Sequence, residues 1–171
     1  MNYGTVSGAV TATEGSTAFI NGGTVGSVVT TDNASAYVLA GTFGTASASG
    51  SSHIYIYGGA SGGAVFSAAG GASISLFGDN LGIDRNNTAR GNDGFGNLGT
   101  FYNLSGTLTD GTSLFGTQFF DADGGKSIVS GNPGALFLNG VAVVPEPGTF
   151  ALFGMGVAAF GGLGVISRRR K

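Results

Sequence analysis

Hydrophobic and polar residues alternate with period two over short stretches of this chain, and the stretches return at a nearly fixed interval. Residues 15–32 (GSTAFINGGTVGSVVTTD), 33–50 (NASAYVLAGTFGTASASG) and 51–70 (SSHIYIYGGASGGAVFSAAG) each open on small polar residues and continue in alternation. Alternation of this kind describes a strand with one face turned inward. In the first third of each copy the predicted inward positions are Ala18 and Ile20, then Tyr37 and Leu39, then Ile54 and Ile56. Corners are expected at Gly22-Gly23, Gly41 and Gly58-Gly59, where glycine takes positive φ without steric cost. A second short strand follows each corner, with Val25, Val28 and Phe43 inward in the first two copies and Ala64, Val65 and Phe66 supplying the third.

Short strands with glycine corners at this period suit a parallel β-solenoid, whose turns bury their apolar faces only by stacking on neighbours. A β-sandwich with glycine-rich turns is the alternative, with strands recurring every 8–12 residues or so. A fourth copy starts at residues 71–79 (GASISLFGD) and then leaves the pattern, as a cap would. Residues 81–97 are polar and rich in Gly and Asn, a loop by composition. Residues 100–112 read as a strand entering an Asp110-Gly111 turn, with further strands expected at 113–120, 126–130 and 135–143. Residues 2–6 (NYGTV) align on residues 21–25 (NGGTV), so the chain opens in mid-repeat and a portion upstream is expected. Residues 1–10 show neither a basic n-region nor an apolar h-region, so no secretion signal is visible there.

Composition narrows the picture. Gly fills 35 of the 171 positions, but 42% of the residues are hydrophobic and 13 are Phe, which disordered chains cannot match. Up to Val144 the chain has three basic residues (Arg85, Arg90, Lys126) against eight acidic ones, a charge of −5 that excludes nucleic acid as partner. Cysteine is absent, and with it disulfides, thiolate metal sites and a cysteine nucleophile.

The C-terminus has a separate character. Residues 150–166 (FALFGMGVAAFGGLGVI) hold no charge and no hydrogen-bonding side chain, and as a helix would span about 25 Å, near the lower limit for a membrane crossing. Arg168, Arg169, Arg170 and Lys171 follow at once, and the positive-inside tendency keeps such a cluster cytoplasmic and places the body across the membrane. Before the apolar segment stand Val144, Pro145, Glu146 and Pro147; the two prolines fix φ and remove amide donors, so this motif resists helix formation. Motif, apolar segment and basic end, in this order and spacing, resemble the PEP-CTERM sorting signal of Gram-negative bacteria that make extracellular polysaccharide. The resemblance covers about 28 residues. It implies that an exosortase, a membrane-embedded transpeptidase-like enzyme, recognises Pro145-Glu146-Pro147 and processes the chain nearby. These residues are substrate and not catalyst.

Catalytic chemistry finds little support along the body. His53 is the sole histidine and begins a repeat strand beside Ser51 and Ser52, with no motif such as G-x-S-x-G to complete a triad. Asp121 and Asp123, like the Asp93-Gly94 pair, faintly suggest calcium loops, but an EF-hand would need a glutamate where Asn132 stands. Plain Asp-Gly turns account for both. Residues 15–78 contain a single charged side chain, Asp32, whereas a solenoid lyase needs clustered acids and bases.

The expectation is therefore an all-β protein: a short parallel β-solenoid over residues 1–78, a loop and capping β region over 79–143, the sorting motif linker at 144–149, a single transmembrane helix at 150–166 and a basic cytoplasmic tail at 167–171. It has no cofactor. Its role is structural or adhesive and not enzymatic, at the cell surface or in the extracellular matrix, with exosortase, membrane lipid and extracellular polysaccharide as partners. The alternative is a carbohydrate-binding or carbohydrate-active solenoid with a groove lined by Tyr37, Tyr55, Tyr57 or Tyr102 and acids nearby.

Overall fold

A computed structural model of the chain describes residues 4–92, 98–122 and 136–142. These residues are all-β, with a solenoid of about four turns. Eleven strands follow in order: β1 (Thr5–Ala12), β2 (Thr17–Thr30), β3 (Ser35–Ala48), β4 (His53–Ile56), β5 (Ala60–Ala68), β6 (Ser73–Leu76), β7 (Gly78–Asn92), β8 (Leu98–Leu108), β9 (Gln118–Ala122), β10 (Leu136–Leu138) and β11 (Val141–Ala142).

The repeat interval becomes the climb of one solenoid turn. β2 and β3 pair in parallel with Ala18 on Ala36 and Ile20 on Val38; β4 then stacks on β3 with Ala36 on Ile54, and β6 on β4 with Ile54 on Ile74. The second half of β2 carries the second half of β3, with Val25 on Phe43 and Val28 on Ala46, and β5 continues that flank with Ala46 on Phe66. Two flanks thus face each other across one core containing Ile20, Val38, Ile56 and Leu76 from the first and Val28, Phe43, Ala64 and Phe66 from the second. Burying such a side chain contributes about 1.5–3 kcal/mol, which outweighs the conformational cost of ordering so glycine-rich a chain only because turns stack.

The corners between flanks are where the glycines matter. Gly41 has φ 116°, and a Cβ there would meet the Gly23 carbonyl oxygen at 2.7 Å. Gly59 stands in the same relation to Gly41, so glycine lies on glycine up this edge, and a side chain would both strain the backbone and push neighbouring turns apart. At the opposite edge a four-residue turn recurs, with the Ala34 amide donating to the Thr31 carbonyl and the Ser52 amide to the Ser49 carbonyl. The Ser52 hydroxyl lies buried within this edge, 2.9 Å from Thr30 Oγ1.

Two expectations are corrected. Tyr37 and Leu39 do not point into the core; Ala36 and Val38 do, both fully buried, while Leu39 is exposed. In the second copy both phases of the alternation are apolar, and the register of stacked turns decides: the small Ala36 and branched Val38 fall on Ala18 and Ile20, leaving the tyrosine outside. Residues 81–92, expected as loop, belong to strand β7, which pairs antiparallel with β8 through two irregularities, between Asp79 and Gly82 and between Asp84 and Thr88. Leu81 and Ile83 pack partly against the core, and this anchors a strand whose composition is otherwise polar.

The departure after β6 is an excursion. The chain leaves as the β7–β8 hairpin, passes the Asp110-Gly111 turn, and returns as β9, which pairs in parallel with β5 (Phe66 on Phe119) and antiparallel with β8. β10 likewise resumes the first flank, with Leu136 on Ile74, and turns back through Asn139-Gly140 into β11. The Asn139 side chain closes this end by accepting from the Gly78 amide at 2.9 Å and donating to the Gly78 carbonyl at 2.8 Å. The strand expected at residues 126–130 lies outside the described residues.

Candidate functional site

The residues that point away from the core on the first flank form columns, because in-register parallel strands place equivalent positions above one another. Phe19, Tyr37 and Tyr55 form one such column. Their rings stack, with centroids 5.1 Å apart between Phe19 and Tyr37 and 4.8 Å between Tyr37 and Tyr55, and interplanar angles of 12° and 16°. Phe19, at the end of the stack, is 69% exposed. Tyr57 and Phe77 stack beside this column at 4.4 Å.

Two residues earlier on each strand, and therefore on the same face, lies a polar column of Thr17, Ser35, His53 and Ser73. His53 Nδ1 is 2.7 Å from Ser73 Oγ, which fixes the ring and leaves Nε2 as the nitrogen for any further bond. The imidazole is half-buried and 6.2 Å from the Tyr55 ring. Its partners are a serine and a tyrosine ring, so nothing here resembles a base oriented by a carboxylate. The Tyr55 hydroxyl is held above its ordinary pKa, first by burial and then by the neighbouring Tyr37 and Tyr57.

Of the tyrosines expected to line a groove, Tyr37, Tyr55 and Tyr57 share this outer region, whereas Tyr102 belongs to the core and is 7% exposed. Asp110 approaches Tyr57, donating its amide to the Tyr57 carbonyl at 3.1 Å. Phe19 is the member that alternation alone overlooks. The signal lay in the sequence, since Phe19, Tyr37 and Tyr55 stand 18 residues apart.

The weak metal candidates are not brought together. Asp121 is buried at the end of β9, while Asp123, Asp93 and Asn132 lie outside the described residues. Among the described residues no three His, Cys, Asp or Glu side chains converge as a metal site would require. A cavity of about 360 Å³ opens between β7, β8 and the segment before β9, lined by Asp84, Asn103, Leu104, Ser105, Phe115 and Gly116.

Val144, Pro145, Glu146 and Pro147, the apolar segment at 150–166, and Arg168, Arg169, Arg170 and Lys171 all lie outside the described residues. The described residues contain no helix long and apolar enough to cross a membrane. Ala142, the last residue of β11, is thus separated from Pro145 by only two residues.

Comparison with known proteins bears on this tail. Residues 143–171 match the family model of the PEP-CTERM protein-sorting motif, which takes in the whole stretch from Val144 to Lys171. No curated protein and no solved structure matches the chain.

Proposed function

We propose that this chain is a structural or adhesive protein of the bacterial surface, delivered there by its C-terminus and acting through its solenoid. The sorting motif at 143–171 carries this reading. That signal implies export, anchoring at the C-terminus and processing by an exosortase. In the proposed arrangement residues 150–166 cross the membrane, the Arg168–Lys171 cluster stays in the cytoplasm, and the solenoid stands on the other side with the Pro145-Glu146-Pro147 peptide next to the membrane.

The role of the body follows from its surface. Residues 15–78 offer serine, threonine, glycine and aromatic side chains with one charge among them, which suits packing in a matrix or adhesion better than acid-base chemistry. A stacked, charge-poor solenoid is also a rigid spacer, since each turn contacts only its neighbours and the structure extends by repetition.

Topology is tested by producing the full chain with an epitope in the exposed Glu14-Gly15 turn between β1 and β2 and treating intact spheroplasts with protease. Loss of the epitope from the outside, with the protein in the membrane fraction, supports the proposal. Full protection of the epitope in intact spheroplasts, with cleavage only after lysis, contradicts it.

A further inference from the structure

Among the described residues, the outer face of the first flank is a surface of unusual regularity. It combines the stacked column of Phe19, Tyr37 and Tyr55 with the parallel hydrogen-bonding column of Thr17, Ser35 and His53. We propose that this face binds a neutral polysaccharide lying extended along the solenoid axis. The inference deepens the adhesive reading above and rests on it only for where the protein meets its ligand.

Three observations select the occupant. The first is repeat length: the rungs follow each other at 5.1 and 4.8 Å, close to the advance of one pyranose unit in an extended chain, so the spacing sets one sugar against each rung. The second is chemistry. Because the rings stack on one another, they offer outward mainly their edges and the phenol hydroxyls of Tyr37 and Tyr55, with Phe19 the most exposed of the three at 69%. Tyrosines of this kind supply rigid, amphipathic contact area at little entropic cost. The flanking Thr17, Ser35 and His53 add donors and acceptors of the type that sugar hydroxyls pair with.

The third observation is charge. No charged side chain lies in either column, and the body up to Val144 carries −5. Acidic polysaccharides and nucleic acids are repelled by such a body and find no cation on this face. An anionic lipid surface would want a basic rim, and residues 15–78, which supply both columns, contain no Lys or Arg.

The test is native affinity electrophoresis of the full chain, solubilised in a neutral detergent, through gels containing hydroxyethylcellulose, galactomannan or glucomannan, or carboxymethylcellulose as the anionic counterpart. The proposal predicts that at least one neutral polymer reduces relative mobility twofold or more, that carboxymethylcellulose does so less, and that Phe19→Ser with Tyr37→Ser abolishes the effect. Both side chains point outward, and a far-ultraviolet circular dichroism spectrum unchanged from the parent confirms that the variant folds. The milder Phe19→Ser alone, which alters only an exposed ring, should give a partial loss. Unchanged mobility in all neutral gels, stronger retardation by the anionic polymer, or retardation that survives both substitutions would overturn the proposal. So would slow migration without any glycan that Phe19→Ser relieves, since the face would then pair with a second copy. None of these results depends on exosortase, so the delivery of the protein stands or falls separately.

Discussion

The backbone amide of Asp110 donates to the carbonyl of Tyr57 at 3.1 Å, and through this contact the long excursion of the chain is fastened back onto a solenoid corner. The turn around it is knit to the same corner: Thr112 donates its amide to Asp110 Oδ1 at 2.9 Å, and the Gly59 amide donates to Thr112 Oγ1 at 3.3 Å. The absence of a side chain at Gly58 makes the approach possible, because a Cβ there would fall on the Asp110 carboxylate.

Gly58→Ala should therefore destabilise the body by about 1–3 kcal/mol through overpacking at a site that cannot relax without moving the turn. The check is a denaturant midpoint for the single variant and for Gly58→Ala with Asp110→Gly. If the clash is the cause, the pair should cost less than the sum of the two singles, with a coupling of about 0.5–3 kcal/mol.

The buried contact between Thr30 Oγ1 and Ser52 Oγ predicts an asymmetry. Ser52→Ala strands a buried hydroxyl and also removes the acceptor of the Ser49 amide, and should cost about 1–3 kcal/mol. Adding Thr30→Val, which replaces the stranded hydroxyl with a methyl of the same shape, should recover part of that loss. A double variant no more stable than Ser52→Ala alone would show that the Thr30 hydroxyl is satisfied without Ser52.

Tyr55 predicts the alkaline behaviour. Its pKa is raised in the folded state by burial and by Tyr37 and Tyr57, so the folded protein holds the proton more tightly than the unfolded chain does. The stability this provides is fully present below the unfolded value near 10 and is lost as pH rises from there through the higher folded value. Thermal midpoints measured from pH 7 to 11 should be insensitive to this group near neutrality and fall above 10. Tyr55→Phe should make that fall shallower while leaving neutral pH nearly unchanged.

How far the fold could be read from the chain varied with how many levels of the sequence agreed. Around Ile54 and Ile56, alternation, repeat interval and glycine corner pointed to one arrangement, and the structure has it. At residues 36–39 alternation alone was ambiguous, since Ala36 and Val38 are as apolar as Tyr37 and Leu39, and only the stacking of turns 18 residues apart resolves the phase. Residues 81–92 misled for a different reason. Their Gly, Asn and Asp content describes a loop, yet pairing with β8 and two partly buried side chains, Leu81 and Ile83, hold them extended. The return of β9 and β10 to the two flanks was not legible at all, because parallel partners such as Phe66 and Phe119 are joined by a long excursion whose length no local pattern encodes.

The candidate site shows the same division. The sorting motif is local, so its residues announce themselves and the family match agrees. The aromatic column is non-local. Tyr37 and Tyr55 are named by the carbohydrate alternative, although alternation puts Tyr37 inward, and Phe19 joins them only once the turns are stacked.

The central claim is that the C-terminus is a processed sorting signal, and intact mass spectrometry of the protein from hosts with and without exosortase tests it most directly. The account predicts a shorter species lacking the segment after Pro147, formed only where the enzyme is present and lost when Pro145, Glu146 and Pro147 are replaced by alanine. A full-length mass in both hosts, with the protein in the soluble cytoplasmic fraction, would contradict it.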